Sequence, residues 1–217
     1  MYNWGKECSL WEEKEMRNFD YSHLKDRTWD NEILSYIAKI HEFKGKQELY
    51  LRQKPVELER LVEIAKVQST ESSNRIEGIV TTRSRLQQLV EDKTTPRNRD
   101  EKEILGYRNV LNLIHENYQY IPLKSNYILQ LHRDLLQYTE LSYGGKYKTS
   151  PNEIDAVLPN GEKRILFKPL EPYETPDAIE QICSSYQQAL DHEIVDSLIL
   201  IPCVILDFLC VHPFNDG

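Results

Sequence analysis

Apolar residues recur along most of this chain at helical spacing. Ile104, Tyr107, Leu111, Ile114 and Tyr118 alternate steps of three and four residues, which puts them on one face of a helix. Ile128, Leu131, Leu135 and Tyr138 form a second stripe, with Ser125 ahead of them as an N-cap. In ETPDAIEQICSSYQQAL, Thr175 reads as an N-cap and Pro176 as the first helical residue, before a stripe of Ile179, Ile182, Tyr186 and Ala189. All three stripes are assigned to a core, so the class is mainly α.

A fourth helix is expected over about 55–78, opened by Pro55. Leu58, Leu61, Val62 and Ala65 give it an aliphatic face, which Ser69, Ser72, Ser73 and Ile76 continue. Gly78 suits the left-handed residue that stops such a helix. Ser73 and Glu77 lie four apart and project from one side of the last turn. A carboxylate at a helix C-terminus faces partial negative charge, so Glu77 gains where it meets a cation such as an Arg fork. A solvated surface glutamate is the alternative.

The helical pattern breaks twice. TTPRNRD, Thr94 to Asp100, reads as a linker. NEIDAVLPNGEKRILFKP then sets two short apolar runs around Pro159, Asn160 and Gly161, the composition of a β-hairpin with a type I′ turn. An isolated hairpin is marginal in water, so it must lie against something or await a partner strand. The apolar run from Ile194 to Val211 contains Asp196, Pro202 and Asp207, each costly in lipid. It is expected to be a buried central helix rather than a membrane span.

Charge and composition narrow the function. There are 27 Lys+Arg against 35 Asp+Glu, a formal charge of −8, with no basic block, which argues against direct nucleic-acid binding. No basic segment followed by an apolar one opens the chain, so a cytoplasmic protein without a membrane anchor is expected. Cys8, Cys183, Cys203 and Cys210 show no C-x-x-C spacing and are expected as free thiols in a reducing compartment.

Candidate chemistry sits in HPFNDG, His212 to Gly217. Pro213 lacks an N–H and disfavours α geometry at His212, so the helix should end there and leave His212 on a turn. Phe214 would anchor that turn. Asp216 and Gly217 look like the approach to an anion nest. A neutral His is a general base, and a nearby carboxylate is a suitable ligand for Mg2+ alongside phosphate oxygens. A His-Pro turn with a helix-capping Asp is the structural alternative. No H-E-x-x-H spacing supports a metal hydrolase.

HPFNDG resembles the first half of the Fic (filamentation induced by cAMP) family signature, H-x-F-x-[D/E]-G-N-G-R-x-x-R. SNRIEG, Ser73 to Gly78, resembles that family's inhibitory motif, [S/T]-x-x-x-E-[G/N]. GGKYKTSPNEI and the hairpin after it look like the segment before and within the family's flap. The resemblance implies a Fic-fold helical bundle with one hairpin flap. It divides the chain into an N-terminal helical region, 1–95, carrying the inhibitory helix, and a Fic core, 96–217. It implies a protein adenylyltransferase: His212 would deprotonate a target protein's Ser, Thr or Tyr hydroxyl, which would attack the α-phosphate of ATP. Asp216 would hold Mg2+, Asn215 and Gly217 would line the ATP site, and Phe214 would anchor the loop. Ile154, Asp155, Ala156 and Val157 of the flap would dock the target by strand pairing. Ser73, Glu77 and Gly78 would form the inhibitory element, with Glu77 displacing the γ-phosphate of ATP.

The chain ends at Gly217, before the signature's Asn-Gly-Arg-x-x-Arg and the helices that follow it in the family. These 217 residues alone are therefore expected to transfer AMP weakly or not at all, and association with another chain, such as a homodimer, is compatible with the missing packing. Two other readings share the residues. One is an inert binding module that uses the flap; the other is a Fic enzyme that removes AMP or transfers phosphocholine or phosphate.

Overall fold

A computed structural model describes residues 18–53, 55–157 and 161–216. Among the described residues there are seven α-helices and one two-stranded antiparallel sheet. The helices are α1 (Asn31–Gln53), α2 (Pro55–Ile76), α3 (Arg83–Val90), α4 (Arg99–Asn117), α5 (Ser125–Leu135), α6 (Thr175–Asp191) and α7 (Ser197–Val211). The strands are β1 (Ile154–Val157) and β2 (Lys163–Phe167). The mainly helical class with a single hairpin agrees with the pattern of the sequence. The chain forms two compact units, 27–146 and 18–26 with 147–216; the expected boundary near residue 95 falls inside the first.

In the unit 27–146, helices α2, α3, α4 and α5 enclose the core. Leu86, Leu89, Val90 and Ile104 form its buried centre, with Val67 and Ile79 packed against them. The buried face of α2 differs from the expected one. Thr70 and Asn74 are buried, while Leu61, Val62, Ser72 and Ile76 are exposed. The polar residues can be buried because the helix satisfies them itself: the Thr70 hydroxyl donates to Lys66 O at 2.8 Å, and Asn74 Nδ2 to Thr70 O at 2.8 Å. α2 ends as expected at Gly78, whose φ is 76°. Gly78 N–H donates to Arg75 O at 3.1 Å and Ile79 N–H to Asn74 O at 2.9 Å, the two bonds of a Schellman closure.

Two contacts fix α4. A Cβ on Gly106 would lie 1.8 Å from Leu135 O, so the close approach of α4 and α5 requires glycine there. At the other end, Asn98 caps α4 by accepting from Glu101 N–H at 2.9 Å. Glu101 is buried and accepts from Arg85 Nε at 3.0 Å and Nη2 at 2.6 Å. The same guanidinium donates to Thr94 Oγ1 at 2.7 Å and Thr95 O at 3.0 Å, so the expected linker is tied to the fold. The Arg85 fork, aided by Arg97 N–H and the Thr81 hydroxyl, holds the Glu101 carboxyl down to about 2 against the effect of burial.

In the other unit, α6 and α7 pack together and bury Ile179, Ile182, Cys183, Ala189, Leu200, Val204 and Val211. Cys183 and Cys203 are free thiols; Cys8 lies outside the described residues. The expected caps shift by one residue. Lys124 rather than Ser125 is the N-cap of α5, and Glu174 rather than Thr175 that of α6. Thr175 is buried, and its hydroxyl donates back to Glu171 O at 3.0 Å. α7 is not buried all round: Ile201, Ile205, Leu206 and Leu209 are 42–59% exposed. Its buried Asp207 accepts from the Tyr21 hydroxyl at 3.0 Å, which gives a carboxylate in an apolar run its polar partner. Among the described residues no helix is long and apolar enough to cross a membrane.

Gly106→Ala should lower stability by about 3 kcal/mol through overpacking, whereas Gly78→Ala, with no atom within 4 Å of the new Cβ, should lose only about 1 kcal/mol to left-handed strain. Denaturant titration of both variants checks this. Because Glu101 titrates at about 2 in the fold against an ordinary 4.5, its contribution is complete above pH 4.5 and is lost as pH falls toward 2. Glu101→Gln should be less stable at neutral pH and lose less stability than wild type across that acid window, read by thermal melts at each pH.

Candidate functional site

The end of α7 sets the geometry of HPFNDG. His212 follows the last helical residue in a left-handed conformation, φ 47° and ψ 68°, and its N–H donates to Phe208 O at 3.0 Å. That conformation costs a non-glycine residue about 1–2 kcal/mol. In α2 the residue after the left-handed one closes the helix with its own N–H; here that residue is Pro213, which has none.

His212 N–H takes Phe208 O instead, and a second segment supplies donors for the carbonyls beyond. Lys148 Nζ donates to Val211 O at 2.9 Å, and Lys148 N–H to Pro213 O at 2.8 Å. Asn152 Nδ2 donates to Phe214 O at 3.1 Å and more weakly to His212 O at 3.5 Å. Lys148 Nζ also donates to Asn152 Oδ1 at 2.9 Å, which joins the two donors. The four consecutive carbonyls of 211–214 are thus all served from 148–152. Lys148 is only 2% exposed. Burial pulls its ammonium down to about 8, while the charges of Glu171 and Glu174 act in the opposite direction. A cation at a helix C-terminus complements the partial negative charge there.

The side chains of the turn sort by polarity. Pro213 and Phe214 are buried, His212 and Asn215 are exposed, and Asp216 is half-buried. The Phe214 ring stacks on Tyr147 at 6.2 Å and 12°, and meets Phe208 edge-on at 6.3 Å. Gly217 lies outside the described residues. Among the described residues no three His, Cys, Asp or Glu side chains cluster as a protein cage for a metal. A single half-buried carboxylate such as Asp216 fits Mg2+, which accepts one or two protein carboxylates and completes its shell with phosphate oxygens and water.

The hairpin begins two residues beyond Asn152. Its register pairs Ile154 with Phe167, Asp155 with Ile165, Ala156 with Arg164 and Val157 with Lys163, with an irregularity between Ile154 and Asp155. Asp155 pairs with Lys163 at 3.1 Å. Ile154, Ile165 and Leu166 are exposed. Pro159 and Asn160, which led to the expected turn, lie outside the described residues; Gly161 has φ 84°.

In the unit 27–146, the other sequence-predicted residues occupy the last turn of α2. Ser73 Oγ accepts from the Tyr107 hydroxyl at 2.9 Å, so it ties α2 to α4. Glu77 is exposed one residue past the end of the helix, directly before the left-handed Gly78. The pattern of the sequence does not single out Lys148 or Asn152. A Lys four residues before an Asn, leading into the hairpin, was the only local sign of them.

A model of the Fic/DOC family matches residues 122–217, which include the hairpin, α6, α7 and the turn. The fold is similar to the crystal structure of a Fic domain containing signaling protein from Bacteroides thetaiotaomicron, with TM-score 0.65 and 26% identity over 76% of this chain and 61% of that one. It is also similar to a Fic family protein from Desulfovibrio desulfuricans, with TM-score 0.67 over 88% of this chain and 55% of that one; at 16% identity that likeness concerns the fold alone. The present chain therefore spans about three fifths of the length of these relatives. Among curated proteins none matches.

Proposed function

Because residues 122–217 match a model of the Fic/DOC family, we propose that this chain is a protein adenylyltransferase of that family. The observation that carries the proposal is the turn after α7, which exposes His212 while burying Pro213 and Phe214 and sets Asp216 four residues on. A target hydroxyl gives its proton to the His212 imidazole as its oxygen bonds the α-phosphorus of ATP. The bond from that phosphorus to the bridging oxygen breaks, and pyrophosphate leaves. The product is AMP esterified to the target side chain. Asp216 holds Mg2+, which neutralises phosphate charge when bound. Asn215 and Gly217 are assigned to binding ATP.

The target's backbone docks along β1, Ile154 to Val157, as an added strand. An exposed two-stranded hairpin is consistent with that role, since its outer edge carries unpaired backbone groups. Glu77, with Ser73 and Gly78 fixing the helix end before it, acts as an inhibitory carboxylate that keeps the nucleotide from its productive pose.

The test uses the protein expressed from its own gene with ATP labelled at either the α or the γ phosphate. Label transferred from the α position supports adenylylation; transfer from the γ position alone assigns phosphorylation instead. His212→Ala should lower transfer by about 100-fold or more, the loss expected for a general base. Retention of full function in that variant would make the protein a binding module. Glu77→Gly should raise transfer, including self-modification, by roughly tenfold, the scale of a 1.4 kcal/mol release. No gain would remove the inhibitory assignment.

A further inference from the structure

The contacts of Lys148 and Asn152 lie beyond the assigned chemistry. Neither residue belongs to HPFNDG, yet their side chains serve Val211 O, His212 O and Phe214 O, and the Lys148 backbone N–H serves Pro213 O. Burying a lysine at 2% exposure is unfavourable unless its donors are used. Here two of them support the loop, one on a helix-end carbonyl and one on Asn152 Oδ1. The left-handed His212 closes α7 with its own N–H to Phe208 O, and the carbonyls beyond that bond, from Val211 on, take their donors from 148–152.

We propose that Lys148 and Asn152 are positioning residues that lock the left-handed turn presenting His212 and Asp216. The inference deepens the adenylyltransferase reading and depends on it only for the purpose of the turn. Asn152 grips the far side of the turn through Phe214 O and His212 O, while Lys148 grips the near side through Val211 O and Pro213 O. Tyr147, next in the chain to Lys148, stacks on Phe214, so both backbone and ring of the turn are held from one short segment. Loss of either side chain frees part of the turn without touching the reacting atoms. The consequence falls on the placement of the imidazole more than on the affinity for nucleotide.

The test compares wild type with Asn152→Ala, Lys148→Met and Lys148→Arg in the full chain. Hydrogen exchange is followed in the 205–216 peptide, and the His212 ring resonances, assigned with His212→Gln, are followed by NMR. Asn152→Ala and Lys148→Met should speed exchange of the amides after Val211 by about tenfold and shift the His212 resonances, while peptides from α6 keep wild-type rates. In the transfer assay kcat should fall by roughly tenfold to a hundredfold, as for a reacting group displaced by about an ångström, with KM for ATP within about threefold of wild type. Lys148→Arg should recover much of the loss, because it keeps a charged donor for Val211 O.

Wild-type exchange and His212 resonances in Asn152→Ala would overturn the proposal, as would a Lys148→Arg variant no better than Lys148→Met. If Lys148→Met does not fold, Asn152→Ala and Lys148→Arg decide the matter. If wild type transfers no AMP, the adenylyltransferase reading falls, and the exchange and resonance readouts still judge the locking role alone.

Discussion

The carbonyls of 211–214 at the end of α7 find their donors outside the helix: the N–H of the left-handed His212 is spent on Phe208 O, and Pro213 has none to give. Much of the unit formed by 18–26 and 147–216 follows from this. Lys148 is buried to reach Val211 O, and its backbone and Asn152 take the next carbonyls. Tyr147 reaches Phe214 with its ring. Two residues after Asn152 the chain enters β1. One short segment therefore supports the turn and leads directly into the hairpin, so the orientation of the proposed docking strand is tied covalently to the supports of the proposed base.

The unit 27–146 depends on different contacts. Gly106 lets α4 approach the backbone of α5 at Leu135, and the Arg85 fork on Glu101 joins the start of α4 to α3 and to the chain between them. Arg108 adds a buried link, donating to Leu89 O at 2.6 Å and to Asp92 Oδ1 at 2.9 Å. These bonds serve carbonyls and carboxylates at helix ends, where unsatisfied backbone groups concentrate. They hold α3 to α4; the C-terminal half of α2 joins them through Val67 in the core and through Ser73, which accepts from the Tyr107 hydroxyl.

The sequence made the long elements readable for simple reasons. Stripes at 3.6-residue spacing found α4, α5 and α6, and Gly78 marked the end of α2, because both signals are local. α1 was passed over although its apolar residues are many; Ile33, Tyr36, Ile40 and Phe43 are exposed, so its pattern does not mark a core face. The buried face of α2 was misread because Thr70 and Asn74 satisfy their own polar groups, which no hydrophobic count registers. His212, Phe214 and Asp216 were legible as a motif. Lys148 and Asn152 were not, since a lysine is ordinarily an exposed residue, and here it is buried on a helix-end carbonyl, Val211 O, more than sixty positions away in sequence.

α2, α3 and α6 each end with a left-handed residue, Gly78, Asp92 and Glu193, and in each the next N–H returns to the helix: Ile79 to Asn74 O, Lys93 to Gln88 O, Ile194 to Ala189 O. Those closures are local, so each forms with its own helix. α7 has the left-handed residue, His212, but takes its remaining bonds from 148–152. Its turn can be ordered only when the tertiary structure around it is ordered. A site built this way gains its geometry from folding as a whole, and the residue at its centre holds a strained conformation that no isolated α7 would keep.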